Sequence, residues 1–415
     1  MKKVLIVGSG AREHALAQTF LKSSQVDQVI VAPGNDGMTD TGLKIVPIPV
    51  TDLVALRQLA LDQQIDLTFV GSEDPLTLGI VDAFQQVGLA IFGPSQAAAQ
   101  LEGSKSFAKD LLTKYNIPTA RSKTVHSLSA AAVLPDIFGY PLVAKLDGLA
   151  LGKGVSIIVD EQQYQDYLQN IFTKDPQATL VIEEFLKGVE FSIFSLVGKD
   201  GTVVHTPLAQ DHKRRFDHDL GPNTGGMGAY SPLTWVSSAQ KQMAIDQLVT
   251  PILSAMQSEN TPFVGVLYTG VMWTKTGPKV IEYNVRFGDP EAQVVLPQYQ
   301  GDFYTLIMNL LDGKVGQSDW QSQDIYLGVV LVAPGYPESP QAGAVVPTVA
   351  QVAPLTINYA GVKDGQAAGG RIATVVAHAQ RTSLAQAEVY RKLNVIDTAL
   401  AYRRDIGYQA NINHL

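Results

Sequence analysis

"YPLVAKLDGLALGKGVSIIV", residues 140–159, sets two apolar, β-rich runs on either side of a loop of glycines and a lysine. Two such runs with so short a connection predict an antiparallel hairpin, because a parallel pair would need a long crossover. That reading decides the fold, since the sequence before it has a different rhythm. "KKVLIVGSG", "DQVIVAPG", "IDLTFVGSED" and "LAIFGP" are apolar runs ending in Gly or Pro, and helical patterns such as "AREHALAQTFLKSS" and "LTLGIVDAFQQVG" separate them. Strands alternating with helices predict a doubly wound parallel sheet, an α/β domain over residues 1–100.

After that domain the pattern is α+β. The hairpin, a helix expected near 161–172 and "ATLVIEEFLKGVEFSIFSLV" make a small lobe at about 120–190, inside a middle domain of 101–324. Residues 205–230 are rich in Gly, His, Asp and Arg; a helix near 238–257 and the strands "GVLYTGVMWT" and "PKVIEYNVRF" follow. From 325 to 415, "YLGVVLVAPGYP", "GGRIATVVAHAQ" and a helix in "SLAQAEVYRKLNVIDTAL" predict a separate α+β unit. The fold class expected is therefore multidomain, α/β followed by α+β.

Length and composition agree with several domains: 415 residues exceed one ordinary core, and 46% hydrophobic with 17% charged residues describes a folded chain with many turns. A formal charge of −8 argues against a general nucleic-acid binder. The absence of cysteine removes disulfides and thiolate metal sites, which fits a reducing cytoplasm and leaves oxygen or His ligands for any metal. The apolar run in "MKKVLIVGSG" is too short for a signal segment, and no stretch of about 18 apolar residues predicts a membrane span. A monomer is the default expectation.

Five stretches carry candidate chemistry. "VGSGAREH", residues 7–14, is a strand, a glycine turn and a helix start, suited to an anion or to nothing more than a tight turn; Glu13 breaks the GxGxxG dinucleotide pattern. "LVAKLDGLALGKGV", residues 142–155, puts Lys145 at a strand end and Lys153 in a Gly-flanked loop suited to phosphate oxygens, without P-loop spacing; a solvated surface hairpin is the plainer alternative. "LVIEEFLKGVEFS", residues 180–192, runs from an apolar strand into Glu183, Glu184 and Glu190, either a solvated strand end or an acceptor for ribose hydroxyls. "QDHKRRFDHDLGPNTGGMGAYSP", residues 210–232, is a long polar, Gly-rich loop, a binding loop or a surface loop, with no HxxxH or HExxH zinc spacing. In "VIEYNVRFGDPEAQ", residues 280–293, Glu282, Asn284 and Arg286 fall on one face of an extended chain. Glu282 and Asn284 offer two oxygen ligands to Mg²⁺ and Arg286 a partner for a phosphoryl group, or the three make an ordinary cross-strand pairing.

In order and number these blocks, from "GSGAREHALA" through "VAPGNDG", "IFGPSQAAAQLEGSKSFAK", "KLDGLALGKGV", "VIEEFLKGVEFS", "QDHKR", "GPNTGGMGAYSP" and "IEYNVRFGDPE" to "AGGRIATVVA", resemble the ATP-grasp superfamily and, within it, the phosphoribosylamine–glycine ligase family. The resemblance implies an ATP-grasp fold with a mobile lid lobe. It implies an ATP-dependent ligase of purine biosynthesis that joins glycine to 5-phosphoribosylamine through a glycyl phosphate, with Mg²⁺ or Mn²⁺. It implies Lys105, Lys145, Gly152, Lys153 and Gly154 at the phosphates, Glu183, Phe185 and Leu186 at adenine mostly through backbone groups, Glu190 at the ribose, and Glu282 and Asn284 at the metal. Arg286, Lys145 and Lys153 are the catalytic candidates. Phosphoribosylamine is expected at Gly10, Arg12, Glu13, Glu73, Asp289, Lys363 and Arg371, and glycine at Asp211, Lys213 and Asn223. Competing readings are a ligase on the same scaffold that uses formate or bicarbonate, and a non-catalytic nucleotide sensor, which would be expected to lack Glu282, Asn284 or Arg286.

Overall fold

A computed structural model describes residues 1–149, 154–314, 318–320, 323–347, 353–396 and 398–411. Its first sheet holds β1 (Lys2–Gly8), β2 (Val26–Pro33), β3 (Leu43–Ile45), β4 (Leu67–Val70) and β5 (Ile91–Phe92), in the order β3-β2-β1-β4-β5 with every pairing parallel. Val4 to Val7 are fully buried, which explains an apolar run where an exposed-face strand would alternate. The strand order reverses beside β1 and β4, and in open parallel sheets ligands bind outside the carboxyl ends at such a point. There Gly8 (φ +142°) and Gly71 admit the Glu13 side chain. A Cβ would stand 2.5 Å from it at Gly8 and 2.3 Å from it at Gly71.

The expected hairpin is present. β6 (Ser122–Val125), β7 (Leu142–Leu146), β8 (Val155–Ile158) and β9 (Leu180–Glu184) form an antiparallel sheet ordered β6-β9-β7-β8. The helix Glu161–Lys174 turns Tyr164 and Leu168 onto it, and they close a small core with Leu142, Ala144, Leu180 and Ile182. This core stands apart from the two larger apolar clusters of the chain.

β10 (Val189–Val197), β11 (Val203–His205), β16 (Gly265–Thr274) and β17 (Gly277–Asn284) form a second antiparallel sheet, ordered β11-β10-β16-β17. A third joins β12 (Gln210–Asp211), β15 (Gly228–Ser231), β18 (Ile325–Val332), β22 (Arg371–Ala379) and β19 (Leu355–Tyr359). Pairing of Gly228 with Val329 carries this sheet across residue 324, so the C-terminal unit shares its sheet with two short strands that flank the Gly-rich loop. Those strands are two and four residues long, too short for periodicity to show. The hairpin of β13 (Arg214–Phe216) and β14 (Leu220–Asn223) projects from the same loop, and β20 (Val362–Lys363) pairs with β21 (Gln366–Ala367).

The chain's end fastens that loop. Arg403, 1% exposed, pairs with Asp405 and Asp219 at 2.8 Å each and donates to Arg214 O at 3.1 Å, while Gly407 N donates to His212 Nε2 at 3.1 Å. Burial, with Arg403 nearby, pushes the His212 pKa down to about 4, and burial with Lys241 does the same to His205. Both folded pKa values lie below the ordinary 6.5, so the stability they carry is complete above about 6.5 and drains away as pH falls towards about 4. A His205→Gln/His212→Gln variant will therefore show a flatter decline in urea-unfolding free energy between pH 6.5 and 4 than wild type, by up to on the order of 3 kcal/mol per histidine. Parallel curves would contradict the two neutral histidines.

Candidate active site

Asp147, at the mouth of the hairpin loop, accepts from the first amides of the helix Lys105–Lys114, Lys105 N at 2.6 Å and Ser106 N at 3.3 Å, and from Ser106 Oγ at 2.5 Å. That clamp aims one helix face, carrying Lys105 and Lys109, at the lid sheet. Lys105 Nζ donates to Gly148 O at 2.7 Å and makes no ion pair among the described residues. Lys109 and Lys145, both buried, each lie 3.1 Å from a Glu183 oxygen, and Lys145 also donates to Ile281 O at 2.9 Å. Glu183 thus links the lid to β17 through Lys145 and to the helix Lys105–Lys114 through Lys109. Its backbone lies within β9, opposite Ser122 and Val143, so free backbone edges begin only at Phe185 and Leu186. Gly154 closes the hairpin, its carbonyl accepting from Leu146 N at 2.9 Å, whereas Gly152 and Lys153 lie outside the described residues.

β17 ends at Asn284, two residues before Arg286, yet both side chains meet one oxygen of Glu102. Glu102 Oε2 accepts from Val285 N at 2.7 Å, and its Oε1 lies 2.8 Å from Arg286 Nη2. Arg286 Nε stands 3.3 Å from Glu73 Oε2, and Arg12 Nη2 reaches the same oxygen at 3.6 Å. Burial opposes the Glu73 charge, yet Arg286 and Arg12 hold its pKa at about 2. Burial pushes Glu102 up to about 7 against the pull of Arg286. Burial likewise works against Glu282, but Lys213, Lys145, Arg286 and Lys105 keep it below the ordinary carboxylate range.

On the far side, Gly10 caps the helix Ala11–Leu21, its N donating to Glu13 Oε2 at 2.6 Å, and Arg12 donates to Glu13 Oε1 at 2.7 Å and Phe287 O at 2.9 Å. Glu13, 1% exposed, is occupied within the turn, so its influence on a ligand runs through Gly10 and Arg12. A Cβ on Gly10 would sit 3.3 Å from Asp289 Oδ2, and Arg371 Nη2 lies 3.3 Å from that oxygen. Gly10, Arg12, Glu73, Asp289 and Arg371 therefore meet at the reversal point of the first sheet. Lys363 does not join them; it is exposed on β20, beside the loop whose Asp36 N donates to Val362 O.

The Gly-rich loop supplies the third wall. Lys213 is bonded to Glu190, so the acid expected at a ribose and the lysine expected at glycine are neighbours. Thr224 donates to Lys213 O through its amide (2.8 Å) and its hydroxyl (2.9 Å), fixing the base of the β13–β14 hairpin. Asp211 is pushed well above the ordinary range by burial and by Glu291, and its Oδ1 has no hydrogen-bond partner among the described residues. Asn223 lines a cleft of about 490 Å³ with Ser156 of the lid and Glu338. Glu102, Lys109, Asp147 and Glu291 escaped the sequence reading. Each stands in a block already quoted, but a polar residue inside a block carries no spacing that says which way it faces.

No group of three or more His, Asp or Glu close enough to hold a metal exists among the described residues. Glu282 has no hydrogen bond or ion pair among them, and Asn284 is best oriented with its amide nitrogen 3.0 Å from Glu102 Oε1, which turns its carbonyl oxygen away from that acid. One free carboxylate and one amide oxygen suit a hard cation that completes its shell with phosphate oxygens and water.

Comparison with known proteins agrees with this geometry. The chain matches the phosphoribosylglycinamide synthetase N domain over residues 2–102, its ATP-grasp (A) domain over 103–292 and its C domain over 326–409. It is 45% identical to a phosphoribosylamine–glycine ligase of Lactococcus lactis, covering 98% of this chain and 100% of that one. It is 44% identical to one of Streptococcus suis, covering 98% and 99%. A crystal structure of phosphoribosylamine–glycine ligase from Thermotoga maritima superposes with a TM-score of 0.84 at 30% identity, covering 98% of this chain and 100% of that one. A biotin carboxylase domain from Hydrogenobacter thermophilus, 17% identical with a TM-score of 0.73 over 96% and 91% of the two chains, shares the ATP-grasp fold.

The Glu73 carboxyl gives a separate check on the ion-pair line. Because its folded pKa lies below the ordinary 4.5, its contribution is present above about pH 4.5 and is lost as pH falls towards about 2. Glu73→Gln will therefore be less stable than wild type at pH 7, with a gap that narrows below pH 4.5 in urea titrations. A gap independent of pH would mean that Glu73 is not held by its two arginines.

Proposed function

This chain belongs to the phosphoribosylglycinamide synthetase family, and from that premise we propose how its residues divide the reaction. It is an ATP-dependent carbon–nitrogen ligase of purine biosynthesis, joining glycine to 5-phosphoribosylamine to give glycinamide ribonucleotide, ADP and phosphate. A glycine carboxylate oxygen attacks the γ-phosphorus as the bond to ADP breaks. The amine of phosphoribosylamine then attacks the acyl carbon of glycyl phosphate, loses a proton and expels phosphate.

What supports the division is the junction at the end of β17, where lysines gather on one flank and an arginine-rich pocket opens on the other. Lys105 and Lys145, with Lys153, Gly152 and Gly154 of the lid loop, take the ATP phosphates. Phe185 and Leu186 offer backbone groups to adenine, Glu183 steadies them by holding Lys109 and Lys145, and Glu190 takes the ribose. Arg286 neutralises the phosphoryl group in flight, a task that rests on positioned charge. Glu282 and Asn284 would hold Mg²⁺ or Mn²⁺. When bound, that ion supplies positive charge between the phosphates. Asp211, Lys213 and Asn223 take glycine. Gly10, Arg12, Glu73, Asp289 and Arg371 take phosphoribosylamine, with Glu13 acting through Arg12.

The setting we propose is a cytoplasmic monomer acting on small molecules and on neither nucleic acid nor membranes. The net charge of −8 supports it, and no helix among the described residues is long and apolar enough to cross a membrane.

Purified protein supplied with ATP, Mg²⁺, glycine and freshly generated phosphoribosylamine will release phosphate, and omission of glycine will abolish release. Equal turnover with formate or bicarbonate in place of glycine overturns the substrate assignment. Glu282→Ala will lower kcat on the order of 100-fold or more with little change in melting temperature. Near wild-type turnover would remove Glu282 from the metal site.

A further inference from the structure

One buried carboxylate controls three consecutive residues of the candidate site. Glu102 ends the helix Gln96–Gly103, is 9% exposed, and presents both oxygens to the segment that follows β17. Oε2 accepts from the Val285 amide at 2.7 Å. Oε1 lies 2.8 Å from Arg286 Nη2, and with the Asn284 amide assigned so that its nitrogen faces acceptors, that nitrogen lies 3.0 Å from Oε1 and 3.1 Å from Tyr283 O. Nothing in the family comparison assigns this residue a role.

A backbone amide and a guanidinium can only donate, so the Glu102 oxygens that face Val285 N and Arg286 act as acceptors. The Asn284 amide has two unlike ends: its oxygen can face a cation and its NH₂ cannot. Glu102 attracts the NH₂, so the oxygen turns outward on the strand that carries Glu282. The same Glu102 oxygen anchors one nitrogen of Arg286, and Oε2 holds the Val285 amide just past the end of β17. We propose that Glu102 is a positioning residue. It orients Asn284 towards the divalent cation and Arg286 towards the transferred phosphoryl group, without touching either ligand. This rests on the reading of Glu282, Asn284 and Arg286 given above.

Glu102→Gln is nearly isosteric but replaces one acceptor with a donor, which must then face Val285 N–H or the pair Asn284 and Arg286. Outer partners of this kind typically contribute 10–100-fold to metal affinity or activity. In electron paramagnetic resonance titrations of the ADP complex, Glu102→Gln is expected to weaken Mn²⁺ binding by about that factor, and kcat should fall by at least as much. ADP affinity measured in EDTA and the melting temperature should stay near wild type. The exchange Glu102→Gln/Asn284→Asp restores a matched donor and acceptor between the two positions, so Mn²⁺ affinity should recover. Turnover should stay low, because Arg286 still lacks its anchor.

Unchanged Mn²⁺ affinity and kcat in Glu102→Gln would overturn the proposal. So would a uniform loss of metal-free ADP binding, Mn²⁺ binding and thermal stability, which marks a purely structural residue, or no recovery of Mn²⁺ affinity in the exchange variant. Failure of wild type to release phosphate with glycine and phosphoribosylamine would instead count against the assigned reaction, and the Mn²⁺ titrations would still decide the role of Glu102.

Discussion

Arg286 keeps only 17% of its side chain exposed, and a guanidinium can be withdrawn from water to that extent only with acids close by. Glu102 supplies one from the helix that follows the parallel sheet, and Glu73 supplies the other from just beyond β4. Both come from segments distant in sequence from Arg286. Satisfying this one cation therefore fixes how the first sheet, the helix Gln96–Gly103 and the end of β17 meet. Arg12 depends on the same arrangement, since it shares Glu73 and reaches the backbone of Phe287.

Charge is distributed unevenly about that centre. At the reversal point of the first sheet each of two arginines has an acid: Arg12 has Glu13 and Arg371 has Asp289. On the lid flank Lys109 and Lys145 share a single glutamate, and Lys105 has a carbonyl. Desolvated ammonium groups short of counter-charge are poised for a polyanion, whereas matched pairs hold a shape. The contrast supports the proposed division, with the lysine flank taking the triphosphate and the paired arginines positioning the singly phosphorylated partner.

How much of this the sequence disclosed follows from the physics of each signal. The parallel sheet was legible because buried strands such as Val4–Val7 read as continuous apolar runs, and the lid hairpin because its two runs are separated by a glycine loop. Lys145, Glu282 and Asn284 stood out as polar residues in or beside apolar strand runs, whereas Lys105 was named only through the family resemblance. The merging of β12 and β15 into the C-terminal sheet was hidden, since pairing between segments a hundred residues apart leaves no local trace. Arg286 was expected on one face with Glu282 and Asn284; strand pairing stops at Asn284, and Glu102 Oε1 meets both Asn284 and Arg286. Glu102 itself looks in sequence like any acid on a helix; only its burial marks it.

The shared sheet also explains why so long a polar loop holds one conformation. Residues 212–227 have little apolar surface of their own, yet their ends lie in strands of the C-terminal sheet. Between those ends Arg403 grips Asp219, Arg371 bonds Gly225 O, and the Tyr336 hydroxyl accepts from Gly225 N at 3.0 Å. Each contact neutralises a charge or satisfies a backbone group that would otherwise depend on water, so order is imposed from outside the loop and does not arise from its own packing. Lys213 and Asn223 are consequently placed by residues more than a hundred positions away. The C-terminal strands act on the candidate glycine pocket as a scaffold, a role distinct from the contact that Arg371 makes with Asp289.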